Sequence, residues 1–129
     1  MQGLHLTADL YQCRCDAAWL TDADRLGAWC VQAVQRAGLQ PVNQLAHAFP
    51  AAPRGPGGVT ATVLLAESHL SLHTYPEQGK AFFDAFTCGV QYEPANIFHA
   101  FAARTLPGRY RITCLDRGSS AHPHGLRSA

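Results

Sequence analysis

The sequence predicts an α/β (α+β) fold built as a two-layer sandwich, with a largely antiparallel sheet and helices packed on one face. Three observations carry this. Leu4, Leu6, Ala8 and Leu10 alternate with His5, Thr7, Asp9 and Tyr11, the period-two pattern of a half-buried strand. Leu26, Trp29, Cys30, Ala33, Val34 and Ala37 recur at helical spacing, which gives an amphipathic helix able to cover a sheet. The remaining short strand-like runs, joined by turn residues and interrupted by one further helical stripe, supply the rest of the sheet.

The first strand runs to Tyr11. Thr21 with Asp24 has the spacing of a capping box and opens the first helix, which Gly38 ends. Val42 to Phe49 reads as a second strand, and Pro50 to Gly58, with three prolines and three glycines, as a loop. Val59 to Glu67 and His69 to Tyr75 are two further strands, stopped at Pro76. In the next, Phe82, Asp84, Phe86 and Cys88 alternate with Phe83, Ala85 and Thr87, and bulk on each face implies that both faces are covered. Pro94 suits the first position of a helix whose apolar stripe is Ile97, Phe98, Phe101 and Ala102, ending before Pro107. The strand Tyr110 to Leu115 closes the fold. Residues 1–116 are thus expected to form one domain, and residues 117–129, rich in Gly, Ser and Pro, a disordered tail in which His122 and His124 are solvated.

A chain of 129 residues supports one core. Its net charge of +1, with no cluster of Lys and Arg along a face, excludes a nucleic-acid partner. No apolar run has the length of a membrane span and no basic-then-apolar leader opens the chain, so a cytoplasmic protein without a membrane partner is expected. The five cysteines, Cys13, Cys15, Cys30, Cys88 and Cys114, are odd in number and lack a framework spacing, so reduced thiols are expected. Cys13-Arg14-Cys15 does not supply four tetrahedral ligands, and no metal site is expected.

The chemistry concentrates in residues 67–75, Glu-Ser-His-Leu-Ser-Leu-His-Thr-Tyr, followed by Phe86-Thr87-Cys88-Gly89. A nucleophile, a base and an acid lie close together. Val59 to Ala66 delivers Glu67 and Ser68 to a strand end, where a hydroxyl beside a peptide carbonyl can attack its own backbone. Taken singly, each residue has an ordinary explanation: a polar strand end for Ser68, backbone hydrogen bonds for His69 and His73, an apolar site for Cys88. As a set, from His5 to Cys88, they resemble the short prokaryotic S-adenosylmethionine decarboxylases, self-processing enzymes that depend on a pyruvoyl group.

The resemblance implies that Ser68 attacks the Glu67 carbonyl to form an ester, that proton loss at its α-carbon breaks the ester, and that hydrolysis leaves a covalent pyruvoyl cofactor derived from Ser68. The chain would divide into 1–67 and 68–129. It further implies that His73 removes the α-proton, that Thr60 steadies developing charge, and that Cys88 returns a proton to the substrate carbon. Phe49 would stack on adenine and Glu77 would hold the ribose hydroxyls. Phe49, Thr60, His73 and Glu77 would act on the other protomer's pyruvoyl group, which makes a homodimer the expected unit, and the product would be the aminopropyl donor for spermidine synthesis. Lys80 is the only lysine and no phosphate-cradling glycine motif is present, in keeping with a pyruvoyl rather than a pyridoxal cofactor.

Departures from the family pattern lie where substrate is recognised: a longer loop between Phe49 and Thr60, Tyr75 in place of tryptophan, and Gln78 and Lys80 in place of aromatics. They leave an alternative substrate open, a basic amino acid such as ornithine or arginine, whose distal cation Glu77 or Asp84 would pair. An unprocessed binding module is a third reading, opposed by the intact Ser68, His73 and Cys88.

Overall fold

In the computed structural model, residues 2–88 and 92–118 are described in full, together with the backbone of Leu126–Arg127. The elements are β1 (Gly3–Tyr11), α1 (Ala18–Thr21), α2 (Ala23–Arg36), β2 (Pro41–Ala48), β3 (Val59–Leu65), β4 (Ser68–Tyr75), β5 (Lys80–Cys88), α3 (Pro94–Thr105), β6 (Arg109–Arg117) and β7 (Leu126–Arg127). They form one sheet in the order β2-β3-β4-β5-β1-β6-β7. Every pairing is antiparallel. Consecutive strands β2 to β5 form a meander, and β1 inserts between β5 and β6, with Leu6 opposite both Ala85 and Cys114. Apart from Arg117, Gly118 and the backbone of Leu126–Arg127, the predicted tail lies outside the described residues.

Strand periodicity explains the layering. Leu4, Leu6, Ala8 and Leu10 of β1, Val59, Ala61, Val63 and Leu65 of β3, and Leu70 and Leu72 of β4 are buried under the helices. Against them lie Leu26, Trp29, Cys30 and Val34 of α2 and Ile97, Phe98 and Phe101 of α3. Phe83 is the aromatic pivot, its ring centroid 5.6 Å from Phe98 and 5.9 Å from Phe101. Close helix–sheet contact requires a small residue at Gly27, where an added Cβ would lie 3.3 Å from that of Ala46.

Two local expectations need correction. Asp22, not Thr21, caps α2: its carboxylate accepts from the Arg25 N–H at 3.1 Å. Thr21 instead belongs to α1 and donates back to the Ala17 carbonyl at 2.9 Å, so its oxygen is already committed one turn earlier. The second concerns β5, where Ala81, Phe83, Ala85 and Thr87 are buried but Phe82, Asp84, Phe86 and Cys88 are only half-buried. The bulk on that side is shielded by its neighbours, Phe82 by Tyr75 at 5.3 Å and Phe86 by His5 at 5.3 Å, rather than by a second layer. One face of the sheet is therefore open.

Burial raises the Cys30 thiol from its ordinary value of 9.0 to about 12. Unfolded chains lose this proton from pH 9 upward while the folded chain keeps it, so the associated stability is full below pH 9. It falls by about 1.4 kcal/mol per pH unit between 9 and 12. Urea unfolding of the parent is expected to lose roughly 2 kcal/mol more than Cys30→Ala between pH 9 and 11. Parallel losses in the two proteins would remove Cys30 from the account.

Candidate active site

The hairpin between β3 and β4 turns on Ala66 and Glu67, which places Ser68 at the first position of β4. Ser68 has φ of 153°, a backbone region that favours glycine. The peptide before it is held on both sides. The Glu67 carbonyl accepts from the Cys88 N–H at 3.0 Å, and the Glu67 carboxylate accepts from the Gln40 N–H at 3.1 Å and the Tyr92 hydroxyl at 3.5 Å. A donor on the carbonyl oxygen withdraws charge from the carbon that a nucleophile would attack. The nearest nucleophile is the Ser68 hydroxyl, whose Oγ lies 3.3 Å from His69 Nδ1. Directly across from Ser68 in the sheet, Thr87 is 1% exposed and its hydroxyl has no partner among the described residues.

A second group collects at the far end of the hairpin. Thr60 and His73 are register partners on β3 and β4 and share a hydrogen bond of 3.0 Å, Thr60 Oγ1 to His73 Nδ1. They line a cavity of about 720 Å³ together with Phe49, Arg54, Tyr75 and Glu77. Gly58 brings the Pro50–Gly58 loop against β4, where an added Cβ would meet the Thr74 carbonyl oxygen at 2.0 Å. Phe49 is 51% exposed and its ring meets His47 edge-on at 4.8 Å, so it is a rim residue rather than core.

These two groups do not touch within one chain. Ser68 and His73 are five residues apart on the same strand, about 17 Å at the rise of an antiparallel strand. Glu67, Ser68 and Cys88 meet at one end of the hairpin, and Phe49, Thr60, His73 and Glu77 at the other. His69, Ser71, His73 and Tyr75 share the open face, as their period-two spacing requires.

The open face also joins His5, His69 and Asp84, a grouping that the sequence did not suggest. Asp84 accepts from His5 Nε2 through Oδ1, and from His69 Nε2 and the Ser71 hydroxyl, each at 3.4 Å, through Oδ2. His5 Nδ1 accepts in turn from Arg117 at 3.1 Å. With three donors on it, Asp84 is not a spare carboxylate awaiting a substrate cation. Ligand-type atoms of His5, His69 and Asp84 lie within 4.8 Å of one another, the chemistry of a metal site. The protons oppose that use. Arg117 can only donate, so His5 carries its proton on Nε2 and points it at Asp84. The one available signal was the outward parity of His5, His69 and Asp84, but it becomes a cluster only once β1 is known to lie beside β5.

Comparison with known proteins agrees with this architecture. A crystal structure of the adenosylmethionine decarboxylase from Aquifex aeolicus VF5 superposes with a TM-score of 0.79 at 31% identity, covering 95% of this chain and 96% of that one. The S-adenosylmethionine decarboxylase proenzyme of Prochlorococcus marinus (strain MIT 9313) is 46% identical over 94 residues, 73% of this chain and 70% of its own. That of Acidithiobacillus ferrooxidans (strain ATCC 53993 / BNL-5-31) is 40% identical over 116 residues, 90% and 82% respectively. The family profile of S-adenosylmethionine decarboxylase matches residues 4–118. The chain belongs to the S-adenosylmethionine decarboxylase family.

The backbone at Ser68 yields a stability test in two variants that both lack the hydroxyl. Ser68→Gly is expected to be more stable than Ser68→Ala by about 1–3 kcal/mol in urea unfolding, because only glycine adopts this φ without strain. Equal stabilities would show that position 68 carries no strain.

Proposed function

We propose that this chain is the proenzyme of a pyruvoyl-dependent S-adenosylmethionine decarboxylase that cuts itself between Glu67 and Ser68. The observation that carries this is the Glu67–Ser68 peptide itself: a strained residue whose hydroxyl is adjacent to a carbonyl already hydrogen-bonded to the Cys88 N–H. The family and the names of its members support the substrate. A pyruvoyl group at position 68 supplies a ketone that condenses with the substrate amine and an amide carbonyl that takes up electrons as carbon dioxide leaves. The surroundings suit such a group, since the Thr87 hydroxyl across from residue 68, without a partner among the described residues, can donate to an added carbonyl oxygen.

The remaining roles fall to side chains of the two groups. Cys88, half-buried and adjacent to the cleavage point, returns a proton to the substrate carbon. Phe49 offers an exposed ring at the cavity rim for adenine, Glu77 accepts from the ribose hydroxyls, and Thr60 with His73 acts on the residue-68 centre. Their separation of about 17 Å from Ser68 supports a site completed by a second copy. A second copy related by a two-fold axis that reverses β4 would bring its own His73 toward the Ser68 end of the strand. Of the two carboxylates offered for a basic amino acid, Asp84 is already occupied by His5, His69 and Ser71, which leaves only Glu77 at the cavity for that reading. Among the described residues no helix is long and apolar enough to cross a membrane.

Purified protein is expected to run as fragments 1–67 and 68–129, with mass spectrometry showing a ketone-bearing, amine-free terminus on the second. Offered S-adenosylmethionine, ornithine and arginine in parallel, it is expected to release carbon dioxide from the first alone. A free serine amine on the second fragment would mean ordinary proteolysis and defeat the proposal. Release from ornithine or arginine instead would transfer the site to the other substrate class.

A further inference from the structure

We infer that His69, held by Asp84, is the general base for the first step of chain cleavage, the attack of Ser68 Oγ on the Glu67 carbonyl. This rests on the self-processing reading above and assigns that step to side chains of a single protomer. His69 Nδ1 lies 3.3 Å from Ser68 Oγ, and its other nitrogen lies 3.4 Å from Asp84 Oδ2. Catalytic hydrogen bonds are commonly this long before the reacting geometry is reached.

The tautomer follows from the partners. An ionised carboxylate only accepts, so the proton of neutral His69 sits on Nε2 and the lone pair of Nδ1 faces the serine hydroxyl. Asp84 is fixed from three strands, by His69 and Ser71 of β4 and His5 of β1 against its own place on β5, and Arg117 of β6 ends the series with a permanent cation on His5. This is the division of labour of a nucleophile, a base and an orienting carboxylate. Asp84 is the positioning residue, since it touches neither reacting atom.

The step balances within the chain. The Ser68 hydroxyl proton passes to His69 Nδ1 as Oγ bonds to the Glu67 carbonyl carbon, and the Cys88 N–H stabilises the charge placed on the carbonyl oxygen. The carbon–nitrogen bond then breaks, and the same proton returns to the Ser68 nitrogen. The product is an ester with a free amine, and relief of the φ at Ser68 favours it. His73, about 17 Å along the strand, is out of reach for this step in the same chain.

The test follows chain cleavage in freshly synthesised, pulse-labelled full-length protein, with and without hydroxylamine, which cuts the ester but not the original peptide. His69→Gln retains an amide nitrogen for Asp84 while removing the base, and is expected to slow cleavage by about 10²–10⁴-fold, with hydroxylamine releasing no extra fragment. Asp84→Asn is expected to slow it by about tenfold or more with the same hydroxylamine result. His73→Ala, blocked at the later proton removal, is expected to accumulate the ester and be cut by hydroxylamine. Unfolding curves matching that of Ser68→Ala identify variants that are folded. Cleavage at the parental rate in folded His69→Gln, or ester accumulation in it, overturns the inference while leaving the self-processing reading intact. A parent that never cleaves overturns that reading instead.

Discussion

The site depends on one covalent constraint, the rigid rise of β4 between Ser68 and His73. An extended strand cannot shorten, so the five-residue step holds the backbone of Ser68 and that of His73 about 17 Å apart however the rest of the chain packs. The hairpin register reinforces the separation. β5 flanks β4 along its whole length and β3 flanks it from Ser68 to His73, pairing Ser68 with Leu65 and Thr87 and His73 with Thr60 and Phe82. Helices cover only the other face of the sheet, through Phe83, Phe98, Phe101 and the leucines of β1 and β4. The face that carries His69, His73 and Asp84 stays open, and an open face is what a two-copy site requires.

The two ends of β4 differ in character. At Ser68 the groups are tightly tied: the carbonyl to Cys88, the Glu67 carboxylate to Gln40 and Tyr92, the hydroxyl to His69. At His73 they are arranged around space, a cavity of about 720 Å³ with an exposed Phe49 at its rim. The first arrangement suits an internal rearrangement of the chain, and the second suits a ligand. The long Pro50–Gly58 loop belongs to the second end. Its residues line the cavity beside His73 and lie away from the Glu67–Ser68 peptide.

Much of the fold was legible because its signals are local. Period-two alternation identified β1 and β5, Pro76 marked the end of β4, Gly38 and Pro107 marked the ends of helices, and the Pro and Gly run marked the loop. The motif around Glu67-Ser68 was legible for the same reason, being contiguous. The Asp84 cluster was not, because His5, His69 and Asp84 meet only when β1 enters the sheet beside β5, a pairing across 79 residues that no local pattern encodes. The strained φ of Ser68 was equally hidden, since a serine in a hairpin gives no composition cue for a conformation that glycine prefers. Thr21 misled for a simpler reason: two adjacent oxygen-bearing residues could cap α2, and the short α1 claimed the first.

The most direct measurement mixes two defective chains. Ser68→Ala lacks the residue proposed to become the cofactor but keeps His73, whereas His73→Ala keeps Ser68, so neither alone is expected to mature. If the site spans two copies, co-expressing them lets the Ser68→Ala chain supply His73, and the His73→Ala chain should be cut into 1–67 and 68–129 and release carbon dioxide from S-adenosylmethionine. Uncut His73→Ala chains inside mixed dimers, shown to form by differential tagging, would contradict the account, because His73 would then have to act within its own chain across a distance the strand does not allow.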